Sequence, residues 1–451
     1  MFSEKPAEVL VAGAGPVGLF AALCLARRGV AVRIVDTGVW ACTHSYALAL
    51  HPQTLALFRD VGLLDEVLAQ CYPVRSLALA GSSGPRVRLA LDRVSPGDSL
   101  CVLRQDALEG LLEKALAKFD ISVEWRHELS SIVPVRDRVE AAIDRYEKES
   151  RGYIVAHTEW VVAGSSTGEY SFVVGADGYS SRVRRALGLD FPEVGPAQYF
   201  AVFELSTDSG LQNEMSVVLG DGTTDVLWPL PGGDCRWSFM LPDYSDPSLE
   251  GIKNVLESSG FGHFPTERTK DRVMRSEGAQ SEVLSDENLH RLIAARAPWF
   301  QSKIKAVKWR SVVRFERRMS SGFGAGRLWL AGDSAHLTGP VGVQSMNAGL
   351  AEASDLAFTL ARILRDGEPS SILSDYERRS MAVWDQLHGR WGQLSPGPAT
   401  DPWVASHAED LLSCLPATGE RLTAMAAELG LEFSDGAALQ SRAGSPDPAR
   451  S

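Results

Sequence analysis

Gly332-Asp333 closes an apolar run, Leu328 to Ala331, and a Pro/Gly-rich loop separates it from Asn347, which is expected to open a long helix. That order sets a carboxylate at a strand end beside a row of backbone N–H groups at a helix N-terminus. Together these groups can cradle a polyol and a developing negative charge. A second set lies near the start of the chain. There Gly13, Gly15 and Gly18 interrupt a hydrophobic stretch, and Asp36 follows roughly twenty residues on, as a dinucleotide fingerprint requires. Gly13 is expected to permit a tight turn, Gly15 to let backbone approach a pyrophosphate, and Gly18 to pack a helix on a strand. Asp36 is placed to accept hydrogen bonds from an adenosine ribose. A third set, Asp177-Gly178, ends the apolar run Ser171 to Ala176 and leads into the basic helix start Ser181-Arg-Val-Arg184. By itself it could equally be a surface turn.

The elements needed to hold these groups follow from the flanking residues. Glu8 to Ala12 reads as a short buried strand, and the helix after the glycines runs through Leu25 to end near Gly29, with Arg27 and Arg28 in its last turn. A second strand, Ala31 to Val35, ends at Asp36. Ser76 to Leu79 and Val87 to Leu91 alternate apolar and polar residues around Gly81 to Pro85, a hairpin signal. Four more strands are expected at Tyr199 to Leu205, Met215 to Leu219, Val226 to Leu230 and Cys235 to Leu241, with turns at Asp221-Gly222 and Gly232-Gly233. Both β-rich blocks interrupt the nucleotide-binding units. The expected division is therefore a discontinuous nucleotide-binding domain (1–72, 100–190 and 286–394) and a substrate-side sheet (73–99 and 191–285). From Asn347 to His388 the pattern is helical, broken at Gly367-Glu-Pro. Ser395 to Pro402 reads as a linker into a tail (395–435) with amphipathic helices at Trp403 to Leu415 and Thr418 to Leu429, and 436–451 as a disordered end.

Bulk properties set outer limits. A chain of 451 residues with 45% hydrophobic and 23% charged residues can bury a full core and carry two interlocked domains. A formal net charge of −12 argues against nucleic acid or an anionic membrane as the main partner. The cysteines Cys24, Cys42, Cys71, Cys101, Cys235 and Cys414 show no C-x-x-C spacing and are expected as buried free thiols, with no metal site, in a reducing cytoplasm. Met1 to Leu10 is too charged for a signal peptide, and Val9 to Ala26, though apolar, contains Gly13, Gly15, Pro16 and Gly18, so no transmembrane segment is expected.

The three motifs, in this order, resemble the class A flavoprotein monooxygenases, the p-hydroxybenzoate hydroxylase-like family, over residues from about 8 to 390. The third reads Gly332-Asp-Ser-Ala-His336-Leu-Thr-Gly-Pro340-Val-Gly342. The resemblance implies an α/β fold: a Rossmann-type, glutathione-reductase-like FAD-binding domain with an interleaved β-sheet substrate domain and a C-terminal helical segment. It implies FAD as cofactor and NAD(P)H as co-substrate. Gly13, Gly15, Pro16, Val17 and Gly18 would hold the pyrophosphate, Asp36 the ribose, and Gly332 and Asp333 the ribityl chain. Pro340, Gly342, Gln344, Ser345, Met346 and Asn347 would lie along the isoalloxazine, with the Pro340 carbonyl facing substrate. Gln105 would sit beside the flavin and Arg104 serve the pyrophosphate, while Asp177 would help a nicotinamide dock. His336 would be structural. Two departures stand out. His44-Ser45-Tyr46-Ala47 lacks the family's Arg, and Val343 and Ser345 replace glycines, which matters if either needs φ > 0.

The resulting expectation is hydroxylation or epoxidation of a small aromatic or polyketide-like molecule, as in secondary metabolism, through a flavin hydroperoxide, by a cytoplasmic monomer or homodimer. Tyr199, Phe203, Trp228, Trp237 and Phe239 are the candidate substrate contacts, on strands taken to face the flavin. No residue is assigned as general base, and His51 and His44 have no assigned role. The alternatives are a flavin-dependent halogenase, faintly echoed by Val226-Leu-Trp-Pro-Leu-Pro231, an olefin epoxidase or dehydrogenase, and a non-catalytic flavin-binding redox sensor.

Overall fold

The apolar runs that precede the three motifs are neighbours in one sheet. The computed structural model describes residues 6–40, 49–91, 99–151, 157–208, 211–241, 273–274, 282–390 and 392–434. In it the strand Val9–Ala12 pairs in parallel with Val32–Asp36 on one side and Phe172–Gly175 on the other. Leu328–Leu330 adds in parallel beyond Phe172–Gly175, and Gly324–Ala325 and Glu124–Trp125 complete the six strands. Val9–Ala12 and Phe172–Gly175 are buried throughout, as strands covered on both faces must be. The helix Pro16–Arg27 packs against Gln344–Ala361 and Gln105–Ala117. Since the strands run parallel, all three motifs emerge at the same end of the sheet, where α/β folds bind ligands.

A second, larger sheet carries the strands in the order Val273–Met274, Ile304–Met319, Glu193–Thr207, Asp234–Leu241, Thr223–Pro229, Glu214–Gly220, Ser76–Gly81, Gly84–Ala90. Gly222 and Gly232 take positive φ at the two expected turns. The strand Ile304–Met319 corrects the sequence division, which gave 286–394 wholly to the nucleotide-binding unit. It pairs along Glu193–Thr207, 97 to 125 residues away, and a pairing so distant leaves no local turn signal. The helix Asp286–Arg296 packs with it, so Leu289 and Leu292 cluster with the outer face of the large sheet. A three-stranded antiparallel ribbon, His127–Val135, Arg138–Arg151 and His157–Tyr170, was also not foreseen.

The tail departs from expectation at two points. Leu394–Pro396, which takes in the first two residues of the expected Ser395 to Pro402 linker, pairs antiparallel with Leu431–Phe433 and closes the tail on itself. The Trp403 to Leu415 helix breaks at His407, leaving Pro402–Ser406 and Ala408–Leu411, while Gly419–Glu428 forms close to its expected span. The expected disordered end, 436–451, lies outside the described residues, as do Cys42 and the His44 to Ala47 segment. Cys24, Cys235 and Cys414 are buried free thiols, but Cys71 and Cys101 are joined as a disulfide with Cα atoms 5.5 Å apart. The pairing of Tyr72–Val74 with Leu100–Val102 brings the two cysteines together, and sequence spacing could not show it. Among the described residues no helix is long and apolar enough to cross a membrane.

Candidate functional site

Three glycine positions pull the motifs into one place. Gly13 has φ +99°, and a Cβ there would stand 2.1 Å from Ala176 O and 2.9 Å from Asp177 Cα, so the first and second motifs touch backbone to backbone. A Cβ on Gly18 would lie 1.9 Å from Gly13 O, which sets the helix start directly on the turn. Gly332, at φ +69°, brings the third motif against the same helix, its Cβ position 3.0 Å from Val17 Cγ2. Gly15 is different. A Cβ on it would meet nothing within 4 Å. The helix Pro16–Arg27 opens with proline, has no side-chain cap and carries no acid in its first turn. An open backbone at an uncapped, partly positive helix end is what a pyrophosphate needs, so the residues present fit the expected dinucleotide.

The carboxylates around this opening are held by backbone. Asp36, 7% exposed, accepts from Ala14 N (2.7 Å) and Gly38 N (2.6 Å), which fixes the glycine turn to the end of the second strand. Asp177 Oδ2 accepts from Arg182 N (2.7 Å) and Val183 N (3.2 Å), while its Oδ1 is buried without a hydrogen-bond partner. Burial pushes the Asp177 carboxyl above its usual range in spite of those bonds. Asp333 Oδ1 accepts from the Ser345 hydroxyl (2.8 Å), so Ser345, in the first helical turn, braces the third motif.

Glu352, which the sequence reading missed, organises the interior beneath that motif. Its Oε2 accepts from Gly332 N (2.8 Å) and His336 Nε2 (2.8 Å), and its Oε1 from Trp384 Nε1 (2.7 Å). His336 is fully buried and stacks on Trp384 with ring centroids 3.7 Å apart, which gives it a structural setting. The available signal was a lone acid on the buried face of an apolar helix, flanked by Ala348 and Leu356 at helical spacing.

The loop from Pro340 is gripped from both sides. The long helix begins at Gln344 rather than Asn347, because Val343, at φ 50° and ψ 38°, turns the chain into it. Of the two departures from the resembled family's glycines, Val343 is therefore the one in the left-handed region, which is strained for a β-branched residue, while Ser345 is helical. Pro340 O accepts from Val343 N (3.3 Å) to close the turn. The Asn347 side chain is spent on structure: Nδ2 donates to Ala49 O and Val343 O, and Oδ1 accepts from His51 N and Thr54 Oγ1. On the far side Gly342 N donates to Ser413 O (3.0 Å), and Gln344 Nε2 donates to Leu412 O and Leu415 O. Thus the side chain of Gln344, a residue of the loop expected along the isoalloxazine, faces the tail. Met346, with Ser345, lies half-buried in the first turn, whose leading N–H groups lack acceptors within the helix.

Arg104 and Gln105, expected at the pyrophosphate and beside the flavin, each have a protein partner. Arg104 Nη2 donates to Glu204 Oε2 (2.9 Å), which ties the end of one domain to the large sheet, and Gln105 Nε2 donates to Glu109 Oε1 (2.8 Å). Burial works to raise the Glu204 carboxyl, yet Arg236 and then Arg104 hold it below the usual carboxylate range. A carboxylate already buried beside Arg236 is a stronger partner for Arg104 than solvent.

The substrate-side aromatics divide by strand parity. Tyr199, Phe203, Trp237 and Phe239 point to the outer face, where they pack with Leu289, Leu292 and Phe300 away from the motifs. Side chains alternate with period two, so the assumption that all five faced the flavin could not hold. Trp228 is on the inner face with Phe200, Val202 and Val313. On that face Gln198 reaches the third motif, its Oε1 2.8 Å from where a Cβ on Gly339 would stand, and its strand partner Phe315 forms an edge-to-face pair with Phe200 at 5.7 Å.

The buried His51 and the half-buried His388 should make the fold acid-sensitive. Burial pushes His51 down to about 4, against a hydrogen bond to Gly342 O that acts the other way, and burial pushes His388 down to about 3. Both lie below the unfolded value, so the unfolded state takes up protons first. Their contribution is complete above pH 6.5 and is lost as pH falls towards 4, at up to about 1.4 kcal/mol per pH unit for each. Urea midpoints between pH 7 and 4.5 should fall less steeply in the His51→Gln/His388→Gln protein; equal slopes would refute the assignment.

Comparison with known proteins agrees with this geometry. The family model described as FAD binding domain matches residues 6–390. The chain is 30% identical over 384 residues to 6-methylpretetramide 4-monooxygenase of Streptomyces rimosus, covering 84% of this chain and 60% of that protein, so it spans less than two thirds of that relative. It is 26% identical over 429 residues to a flavin-dependent monooxygenase of Mycobacteroides abscessus, covering 89% and 78%. Among solved structures, p-nitrophenol 4-monooxygenase PnpA from Pseudomonas putida DLL-E4 superposes with a TM-score of 0.64 at 20% identity, covering 97% of each chain. Aklavinone-11 hydroxylase, solved with FAD and aklavinone, gives 0.62 at 21% identity over 86% of this chain and 68% of that one. At those identities the structures show a shared fold.

Proposed function

The chain belongs to the FAD-binding-domain family, and from that membership we propose that it is an FAD-dependent monooxygenase acting on an electron-rich aromatic or polyketide-like ring. The observation that carries this reading is the convergence of Gly13, Ala176 and Gly332 around the open backbone at Gly15 to Val17. FAD held there would supply the redox chemistry of NAD(P)H-driven oxygen insertion, in which one atom of dioxygen goes to the substrate and the other to water. The backbone of Gly15 to Gly18 binds the pyrophosphate, Asp36 the ribose and Asp333 the ribityl chain. The leading N–H groups of the first turn from Gln344, which have no acceptor within the helix, would serve the isoalloxazine. The substrate ring lies between the Pro340 turn and the inner face of the large sheet, where Phe200 and Phe315 offer aromatic contact and Gln198 a hydrogen-bonding amide. The protein positions the ring and excludes water around it. Work in the cytoplasm, where NAD(P)H is available, as a monomer or homodimer belongs to the same proposal.

A screen of phenols and fused-ring polyketides for stimulated NAD(P)H consumption, with a product heavier by one oxygen, tests the reaction. A yellow protein that no nicotinamide reduces would sink it. Asp333→Ala should purify largely free of flavin, because its carboxylate is the side-chain contact assigned to the ribityl chain; normal FAD content by absorbance would show that the ribityl chain lies elsewhere.

A further inference from the structure

Resting on that reading of the cofactor site, we propose that the tail 392–434 is a working wall of it and that Gln344 is the positioning residue through which tail docking and FAD binding are coupled. The tail is no loose appendage: its strands Leu394–Pro396 and Leu431–Phe433 pair, and Leu411, Cys414, Leu415, Ala417 and Leu422 are buried in the main core. Three of its carbonyls face the Pro340 loop. Ser413 O accepts from Gly342 N, and Leu412 O (3.0 Å) and Leu415 O (3.1 Å) accept from the Gln344 amide, which is 1% exposed. The fit leaves no slack, because a Cβ on Gly342 would stand 2.7 Å from Leu415 O and 2.9 Å from Ser413 O.

These contacts fall on both sides of Val343. A valine in the left-handed region persists only where its neighbours over-determine it, and the tail fixes the residue before it and the residue after it. Next to Gln344, Ser345 donates to Asp333. A continuous line therefore runs from the tail carbonyls through Gln344 and Ser345 to the carboxylate placed on the ribityl chain. If FAD binding needs this loop in its left-handed turn, it must favour the docked tail, and the docked tail must favour FAD by the same factor.

Gln344→Met keeps the side-chain volume and removes the donor. We expect it to fold, to bind FAD at least tenfold more weakly in a fluorescence titration, and to shift the visible flavin bands through the displaced first turn. In the unmutated protein, adding FAD to the deflavinated full chain should slow amide hydrogen exchange in residues 408–417. An unchanged FAD affinity and spectrum in the folded variant would overturn the proposal. Exchange in 408–417 that is indifferent to FAD would overturn it too, and that measurement stands even if the variant fails to fold. Both readouts concern binding alone, so a failed search for hydroxylated product would sink the reaction and leave this coupling standing.

Discussion

Glu352→Ala should yield protein without flavin and less stable by about 3–5 kcal/mol, the range found when one partner of a buried polar pair is removed. Three donors converge on this carboxylate: the Gly332 amide, the His336 imidazole and the Trp384 indole. His336 and Trp384 are fully buried, so in the alanine variant water cannot readily replace the lost acceptors. Each unsatisfied donor costs about 1–3 kcal/mol. The Gly332 amide matters most for function, because it sets the turn that presents Asp333. Glu352→Gln keeps one acceptor oxygen but faces the Gly332 or Trp384 hydrogens with its own amide hydrogens, so an intermediate loss is expected. The ratio of flavin to protein absorbance, together with urea midpoints, checks this. Alanine protein that stays yellow with an unchanged midpoint would remove Glu352 from the account.

Gly13→Ala should be severely damaging, with a cost above about 4 kcal/mol, the range of severe steric or strain effects. The new methyl would meet Ala176 O at 2.1 Å and the carbonyl carbon at 2.5 Å, both backbone, at a φ of +99° that side chains rarely adopt. No rotamer change relieves this. The first and second motifs would have to part. Gly15→Ala supplies the contrast, since its Cβ meets no protein atom within 4 Å and its φ is −73°. It should fold with a normal midpoint and lose FAD affinity, because there only a ligand collides with the methyl. Soluble, normally folded Gly13→Ala protein, or a Gly15→Ala protein with full FAD affinity, would contradict the geometry.

Glycines, acids and apolar runs close to one another in sequence were legible because their chemistry is local. The turn at Gly13, the strand end at Asp36 and the hairpin from Ser76 to Ala90 each depend on neighbours within one or two elements. The parity of the sheet residues was legible as well, since Tyr199, Phe203 and Val202 alternate in the sequence itself. Which parity faces the motifs was not, because that depends on the helix Asp286–Arg296 covering one face.

By itself, then, the sequence determined the fold class and the dinucleotide chemistry, since both follow from residue types at short spacing along strands and helix starts. The tertiary structure alone decided who holds what. It joined Cys71 to Cys101, turned Arg104 to Glu204 and set Glu352 under Gly332. It also handed Gln344 to the tail and left Val343 to make the left-handed turn. Each of these depends on groups distant in the chain meeting in a closely packed interior, where buried hydrogen-bonding groups need partners that spacing does not reveal.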